Sequence, residues 1–587
     1  MSEINQVQSP RETPEHLSEP NLPENSIEAQ AEKPAAKQQS VARSAGIVSI
    51  AVMFSRVLGL VREVIFAKYF GAGFLYDAFL VGFRIPNILR DLFAEGALSA
   101  AFVKVFTDYQ LKKSEIEAWR LASMVFNALA VVLSVITILG ILLSPYIVPL
   151  LAYGFPPEKA ALAVTLTQIM FPFILLVAMA AVAMGVLNTK GRFGIPASAS
   201  TAFNIFSIIF GLGLAFYLSG GGWETSDDKN FIPSAAAQWA IIGMALGTLV
   251  GGAAQFLIQV PSLLKVGFRF APVLSFTDEG IRKVMRLMGP AIIGTSAVQI
   301  KVLVDTFVVS GIDGGQSWLS YAFRLMQFPI GVFGVAIGTA AIPTLSRLAS
   351  ENNFEKFRST LSDAIKLVFL LTIPSACGLI VLGEPIVRLL YERGRFGGFD
   401  TDMTAWALAA YSIGLAGYAA IKVLSPSFYA LDDAKTPMYV SIASIIVHVA
   451  VSFGMMKLLS TVGVTAERPN GFGHVGVALA TSTVALVNFL ALTFLMRRRI
   501  SRLNGRDILA SLLKIAAASA LMSAVCYGSY RFLHGVFGAE NFVYRLIETF
   551  IPIVLGGIVF FAAAKISGVG EIDKVYNIFA RKLKLKK

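Results

Sequence analysis

Apolar residues recur along the chain in blocks of about 20, the length a helix needs to cross the hydrocarbon of a bilayer, with short polar segments between them. The blocks predict helices near 44–68, 76–108, 119–152, 159–188, 195–219, 234–264, 283–311, 317–348, 358–384, 403–431, 436–460, 472–497, 507–533 and 543–567. The longer blocks exceed one straight crossing and predict tilt or kinks. One block is unusual. "GFRIPNILRDLFAEGALSAAF", Gly82 to Phe102, is long enough to cross but carries Arg84, Arg90, Asp91 and Glu95 and is interrupted by Pro86. In hydrocarbon each such charge costs kilocalories unless it faces protein, water or a charged ligand.

The connecting segments alternate in sign. "KKSEIEAWR", "NTKGRFGIP", "KVGFRF" through "IRKVMR", "NNFEKFR" and "RRRISRLNGR" are basic, whereas "YGFPPEKA", "GGGWETSDDKN" and "GIDGGQS" are neutral or acidic. Basic loops stay on the cytoplasmic side, so both termini are expected there, in agreement with an even number of spans. "YERGRFGGFD" departs from the pattern, since it is expected outside yet holds Arg393 and Arg395. Two landmarks recur about 240 residues apart, a spacing that fits a duplicated transporter half: "FRIPNILRDLFAEGALSAAFVKVF" with "FRLMQFPIGVFGVAIGTAAIPTLS", and "LNTKGRFGIPA" with "YALDDAKTPMY". The fold class expected is an all-α polytopic membrane protein of about fourteen helices. Its two six-helix lobes are related by a pseudo-two-fold axis and followed by two C-terminal helices. The expected divisions are a disordered acidic tail at 1–42, an N-lobe at 43–265, a C-lobe at 266–500, the last two helices at 501–568 and a basic cytoplasmic tail at 569–587.

Composition agrees. The 587 residues are 55% hydrophobic and 15% charged, with a mean hydropathy of +0.68, where a soluble domain carries about 25% charge. The first forty residues, rich in Pro, Glu, Gln and Ser, lack both the basic start and the apolar centre of a signal peptide. The formal net charge of +13 reports topology rather than nucleic-acid binding, because the Lys and Arg lie in alternate loops. The final "KVYNIFARKLKLKK" reads as a basic amphipathic segment on the anionic inner leaflet. Cys377 and Cys526 lie in apolar runs without metal or redox spacing, and four scattered histidines form no cluster. No metal or cofactor is expected. A membrane enzyme would need a large polar loop with paired carboxylates or a metal site; no loop after residue 44 is that long.

The charges themselves are patterned. On an ideal helix Asp77, Arg84, Asp91 and Glu95 fall within about 40° of one another, with Arg90 on an adjoining face. The first block adds Arg56, Arg62 and Glu63, and the eighth adds Arg324. Acid–base pairing that locks helices together accounts for any single residue, but the set is too rich in arginine. An anionic ligand in an aqueous cavity satisfies it, and the planar guanidinium suits a diphosphate. Gly59, Pro86, Gly331 and Gly334 are candidate hinges. In the seventh block Lys301 and Asp305 stand one turn apart and read as an ion pair.

"FSRVLGLVREVIFAKYFGAG", then "DAFLVGFRIPNILRDLFAEGALSAAFV" and "FRLMQFPIGVFGVAIGTAAIPTLS", are similar to the MurJ (MviN) family of lipid II flippases, in the multidrug/oligosaccharidyl-lipid/polysaccharide exporter superfamily. The resemblance covers roughly 44–567. It implies a monomeric transporter, not an enzyme, of the bacterial cytoplasmic membrane. Such a transporter moves undecaprenyl-diphosphate-linked disaccharide pentapeptide, lipid II, to the periplasmic leaflet by alternating access. By motif position it implies that Arg62, Arg90 and Arg324 hold the diphosphate, with Arg56 and Asp77 in the same cavity and Glu95 at its portal. Arg84 stands where relatives carry lysine, and Phe323 where an acid often precedes the arginine. The last two helices are implied to hold the lipid tail. A family cation site would map to Asp305, His448, Ser452 and Thr481. The lysine and histidine there favour coupling to protons or the membrane potential over sodium. The alternatives are an exporter of another polyprenyl-diphosphate-linked oligosaccharide and a drug/cation antiporter of the same superfamily.

Overall fold

A computed structural model describes residues 48, 50–95, 97–221, 233–538 and 541–572. The 1–42 tail and the basic tail after residue 572 lie outside the described residues. Among the described residues every predicted block is helical and no strand occurs. Helix α1 runs over 50–70. It is followed by α2 (Phe74–Arg90), α3 (Ala97–Lys112), α4 (Glu115–Leu151), α5 (Pro157–Met170), α6 (Phe173–Thr189), α7 (Gly194–Leu218), α8 (Ala235–Leu257) and α9 (Val260–Lys265). The second half contains α10 (Glu279–Val309), α11 (Gly315–Pro329), α12 (Ala336–Ser350), α13 (Phe354–Val381), α14 (Gly383–Tyr391), α15 (Gly398–Ile413), α16 (Leu415–Tyr429), α17 (Lys435–Leu459) and α18 (Gly473–Arg499). It ends in α19 (Gly505–Phe537) and α20 (Phe542–Ile566).

Polar residues set the helix starts. Ser114 accepts the Glu117 amide at 3.2 Å, Asp278 the Gly280 amide at 2.8 Å and Asn353 the Lys356 amide at 3.2 Å, each satisfying an otherwise orphaned first-turn N–H. Among the described residues ten helical segments are long and apolar enough to span a membrane, and the α15–α16 pair, bent by 42°, makes an eleventh. Outside that set fall α2–α3 and α10, which carry Arg84, Arg90, Asp91, Lys301 and Asp305, whereas the Gly315–Ser350 segment with Arg324 lies inside it. One helix was not expected: α14, where the ninth block was to end in a loop. Pro385 cannot donate back into α13, so the chain restarts as a short helix with Val387, Leu389 and Tyr391 buried.

The duplication is visible in backbone detail. α2 passes into a π-helical turn at Asp91–Glu95, and α11 into another at Ile330–Val335. Aligning Phe83-Arg84 on Phe323-Arg324 superposes the two turns. The helix therefore loosens after Pro86, at the π-turn, rather than at the proline itself, whereas the second turn begins directly after Pro329 and contains Gly331 and Gly334. Between the fourth and fifth spans of each half, Gly191 (φ 70°) and Asp432 (φ 56°) occupy matching left-handed positions five residues before Pro196 and Pro437. Within the halves α7 packs on α8 and α17 on α18, and α19 packs on both α20 and α13. The C-terminal pair thus stands against the second half.

Candidate functional site

The first and eighth spans meet antiparallel. On α1, Arg56 and Glu63 are seven residues apart and share a face; so do Arg324 and Gly331 on the eighth span. Arg324 Nη2 donates to Glu63 Oε1 at 2.9 Å. The Arg56 guanidinium lies against Gly331, where an added Cβ would come within 2.0 Å of Nη1. Gly331 is therefore the space Arg56 occupies. Arg62 Nη2 stands 3.5 Å from the same Glu63 oxygen, and its guanidinium lies 5.2 Å from the Phe203 ring centre. The Tyr76 hydroxyl donates to Glu63 Oε2 at 2.5 Å. Glu63 is 3% exposed, while the Arg324 side chain is 44% exposed. Arg62 Nε is buried without a hydrogen-bond partner. Two guanidiniums, one from each half, thus meet one carboxylate with donors to spare, and Arg56 stands two turns away along α1 against Gly331.

The other predicted residues distribute into three further groups. Arg90 donates through Nε and Nη2 to Asp91 Oδ1 at 3.1 and 2.7 Å, and Gln299 of α10 donates to Asp91 Oδ2 at 3.2 Å. Arg90 therefore stands with its own acid, apart from the Glu63 cluster. Glu95 closes the π-turn, and its side chain lies outside the described residues. Arg84, the positional counterpart of Arg324, donates to Gln316 at 3.3 Å and feels the charge of Asp305. The pairing is crossed: Arg84 of the second span reaches toward Asp305 of the seventh, as Arg324 of the eighth reaches Glu63 of the first.

Asp305 itself goes to histidine. His448 Nε2 is 2.7 Å from Asp305 Oδ1 and 3.4 Å from the Ser452 hydroxyl, with His448 1% exposed. The expected Lys301–Asp305 ion pair does not form; the carboxylate turns toward α17, and Lys301 acts on it only through longer-range attraction. Thr481 lies buried on α18 and makes no hydrogen bond to this group, its hydroxyl being unpartnered. Phe323 packs edge-on to Tyr411 with ring centres 5.4 Å apart, so the acid for Arg324 comes from α1 instead of its own helix.

Asp77 is in a different setting. It is fully buried and accepts from Lys159 Nζ (2.8 Å), the Gly314 amide (2.9 Å), and the Ser317 amide (2.9 Å) and hydroxyl (2.6 Å). Lys159, 2% exposed, also donates to Asp313 at 2.7 Å. Asp77 thereby caps the start of α11 from the opposite half. Around it the halves are joined at the end bearing the neutral and acidic loops. Tyr321 donates to Gly71 O (3.1 Å), Arg395 N–H to Lys68 O (3.0 Å) and Gly154 N–H to Ser310 Oγ (3.0 Å). An added Cβ on Gly154 would fall 2.4 Å from Gly311. At the opposite end α10 carries the join, packing on α3 and α4, with Lys283 donating to Asp108 at 2.7 Å.

Sequence reasoning counted Glu63 among the patterned charges without giving it a binding role, and left Tyr76, Gln316 and Lys159 out of the site. For Lys159 a signal existed: it is a lone base in the first turn of an apolar helix, one helical hairpin from an unpaired-looking acid. Gly59 meets only Asn204, at 3.9 Å from an added Cβ, and Gly334 approaches Ala419 at 3.0 Å.

Residues 66–548 match the family model for the lipid II flippase MurJ. The chain belongs to the MurJ family. It is 35% identical over 460 residues to the probable lipid II flippase MurJ of Vibrio cholerae, covering 77% of this chain and 82% of that protein. It is likewise 35% identical over 459 residues to the lipid II flippase MurJ of Burkholderia cenocepacia, covering 77% and 83%. Among solved structures, a lipid II flippase MurJ in an inward closed conformation matches with a TM-score of 0.69 and 29% identity over 88% of this chain and 98% of that one. An inward-facing multidrug-resistance MATE-family transporter matches at 0.63 and 14% identity over 78% and 98%, a likeness of fold.

Proposed function

We propose that this protein flips lipid II across the bacterial cytoplasmic membrane, from the cytoplasmic to the periplasmic leaflet, working as a monomer with both termini inside. The observation that carries this reading is the Glu63 cluster. Arg62 and Arg324 face a single carboxylate, with Arg56 two turns along α1, and a diphosphate supplies the anionic oxygens that Glu63 alone does not. In the empty state Glu63 stands in for the diphosphate and keeps the guanidiniums oriented. On binding, the substrate takes over Arg62 and Arg324, and the α1–α11 contact that Glu63 made across the halves is released. Alternating access then consists of parting the Asp77–Lys159–Asp313 join at one end while the arginines stay with the headgroup. Arg84 and Arg90 line the path on the second span. The apolar pair α19–α20 offers the polyprenyl tail a route outside the cavity. An inside-negative potential favours outward movement of the anionic headgroup.

The Asp305–His448–Ser452 group, with Lys301 and Arg84 acting on its carboxylate, serves coupling. Its positive charges take the place a sodium ion would need, which favours protons or the membrane potential as the driving partner. The test is reconstitution of the full chain in vesicles with lipid II in the inner leaflet and measurement of its outward exposure, with undecaprenyl phosphate as control. Exposure of lipid II alone, unaffected when potassium replaces sodium, is the expected result. Equal exposure of both lipids overturns the diphosphate reading, exposure of other diphosphate-linked oligosaccharides broadens the substrate, and a strict sodium requirement overturns the coupling assignment.

A further inference from the structure

The basic loop 189–195, read above only as a topology marker, ends in a built corner that the transport cycle does not use. Arg192, Gly194 and Ile195 at the start of α7, with Ser262 and Lys265 of α9, line a cavity of about 330 Å³. Ser262 is 6% exposed, and its hydroxyl makes no hydrogen bond among the described residues. Arg192 and Lys265 make no ion pair there, and no side chain caps the first turn of α7. Two cations, an unbonded hydroxyl open to the cavity on a buried serine, and an uncapped helix start therefore converge on one space, and such a start favours an anion.

The duplicated half supplies the missing partner. Aligning Gly191 on Asp432 and Pro196 on Pro437 puts Arg192 on Asp433 and Ile195 on Thr436. In the second half Asp433 accepts the Thr436 amide at 3.0 Å and the Thr436 hydroxyl at 2.8 Å. The Thr436 amide holds that carboxyl below its usual range, and Arg499, from the end of α18, adds to the effect. The second half thus carries its own anion between a helix start and a base at the end of the last span of the lobe. The first half presents the same corner with arginine in place of the acid.

We propose that this corner binds a phosphate ester from outside the chain, the headgroup of an anionic phospholipid, where the other half uses Asp433. Phe193 (39% exposed), Ile195 (40%) and Leu264 (62%) flank the opening and suit the acyl side of a lipid better than free phosphate. The bound phosphate ties the fifth span to the end of the sixth and fixes the depth of the first half in the leaflet that faces the basic loops.

The test uses the full chain in phosphatidylcholine nanodiscs, with the unfolding midpoint followed against added short-chain phosphatidylglycerol and, separately, inorganic phosphate. Phosphatidylglycerol is expected to raise the midpoint saturably, with the half-saturating concentration at least about tenfold higher in Arg192→Gln/Lys265→Gln, the change that 1.4 kcal/mol of lost binding gives. Arg192→Asp, which restores the acid beside the Ile195 amide though without the Thr436 hydroxyl bond, is expected to raise the midpoint without lipid and to flatten the titration, a gain that a misfolded variant cannot mimic. An equal shift with inorganic phosphate makes the ligand free phosphate and overturns the headgroup assignment. An unchanged titration in the double variant, or an Arg192→Asp protein that still responds as the parent does, overturns the site.

Discussion

Two charged clusters join the same two halves of the molecule, and they differ in how completely they are satisfied. Around Asp77 every group is paired: four donors meet the carboxylate, and Lys159, itself buried, divides its proton donors between Asp77 and Asp313. Around Glu63 two guanidiniums share one carboxylate, one of them 44% exposed and the other with a buried unpartnered Nε. The first arrangement is what a closure needs, since breaking a satisfied buried pair is costly. The second is what a receptor needs: an incomplete shell that an incoming anion completes. Similar residue types in similar spans therefore carry opposite roles, and the pairing decides which.

That contrast yields experiments of decreasing size. Arg62→Gln/Arg324→Gln keeps an amide donor for Glu63 but removes both charges, and lipid II exposure in vesicles is expected to fall about 100-fold, since hydrogen bonds to charged groups contribute about 1.5–3 kcal/mol each. Lys159→Met leaves Asp77 buried without its cation. Thermal unfolding should report a loss of about 3–5 kcal/mol, partly recovered by Asp77→Asn in the same chain. Glu63→Gln sharpens the comparison further, because it keeps an acceptor for Tyr76 and Arg324, 44% exposed, can turn to water; the expected cost is about 1–3 kcal/mol, below that of Lys159→Met. A loss as large as that of Lys159→Met would show the Glu63 cluster to be a second lock. Gly331→Ala displaces the Arg56 guanidinium without touching the core. It is expected to slow transport about tenfold through misplacement of that group while leaving the unfolding midpoint in place.

The architecture was readable from the chain because a bilayer imposes one requirement, continuous apolar helix, that leaves a direct mark on sequence. All the predicted blocks among the described residues, from α1 to α20, are helical, and the duplication seen in "FRIPNILR" and "FRLMQFPI" returns as matched π-turns. What the sequence obscured was which charges meet. Asp77 shares an ideal helix face with Arg84, yet its partners come from α5 and α11. Asp305 sits one turn from Lys301 but finds His448 143 residues away. Spacing within one helix fixes a face, not the neighbour opposite it, and the contacts of Asp77, Asp305 and Arg324 all cross between helices. α14 was missed for a related reason: at nine residues it is too short for a hydropathy block, and only its docking against the second half reveals it.

The most direct test of the account is the affinity of the full-length protein, in nanodiscs, for an undecaprenyl-diphosphate-linked headgroup against its monophosphate counterpart. The account predicts that the parent chain prefers the diphosphate by at least about tenfold, one charge-assisted contact's worth of binding, and that Arg62→Gln/Arg324→Gln loses the preference. Equal affinity for the two lipids in the parent, or a preference that survives removal of both guanidiniums, would contradict it.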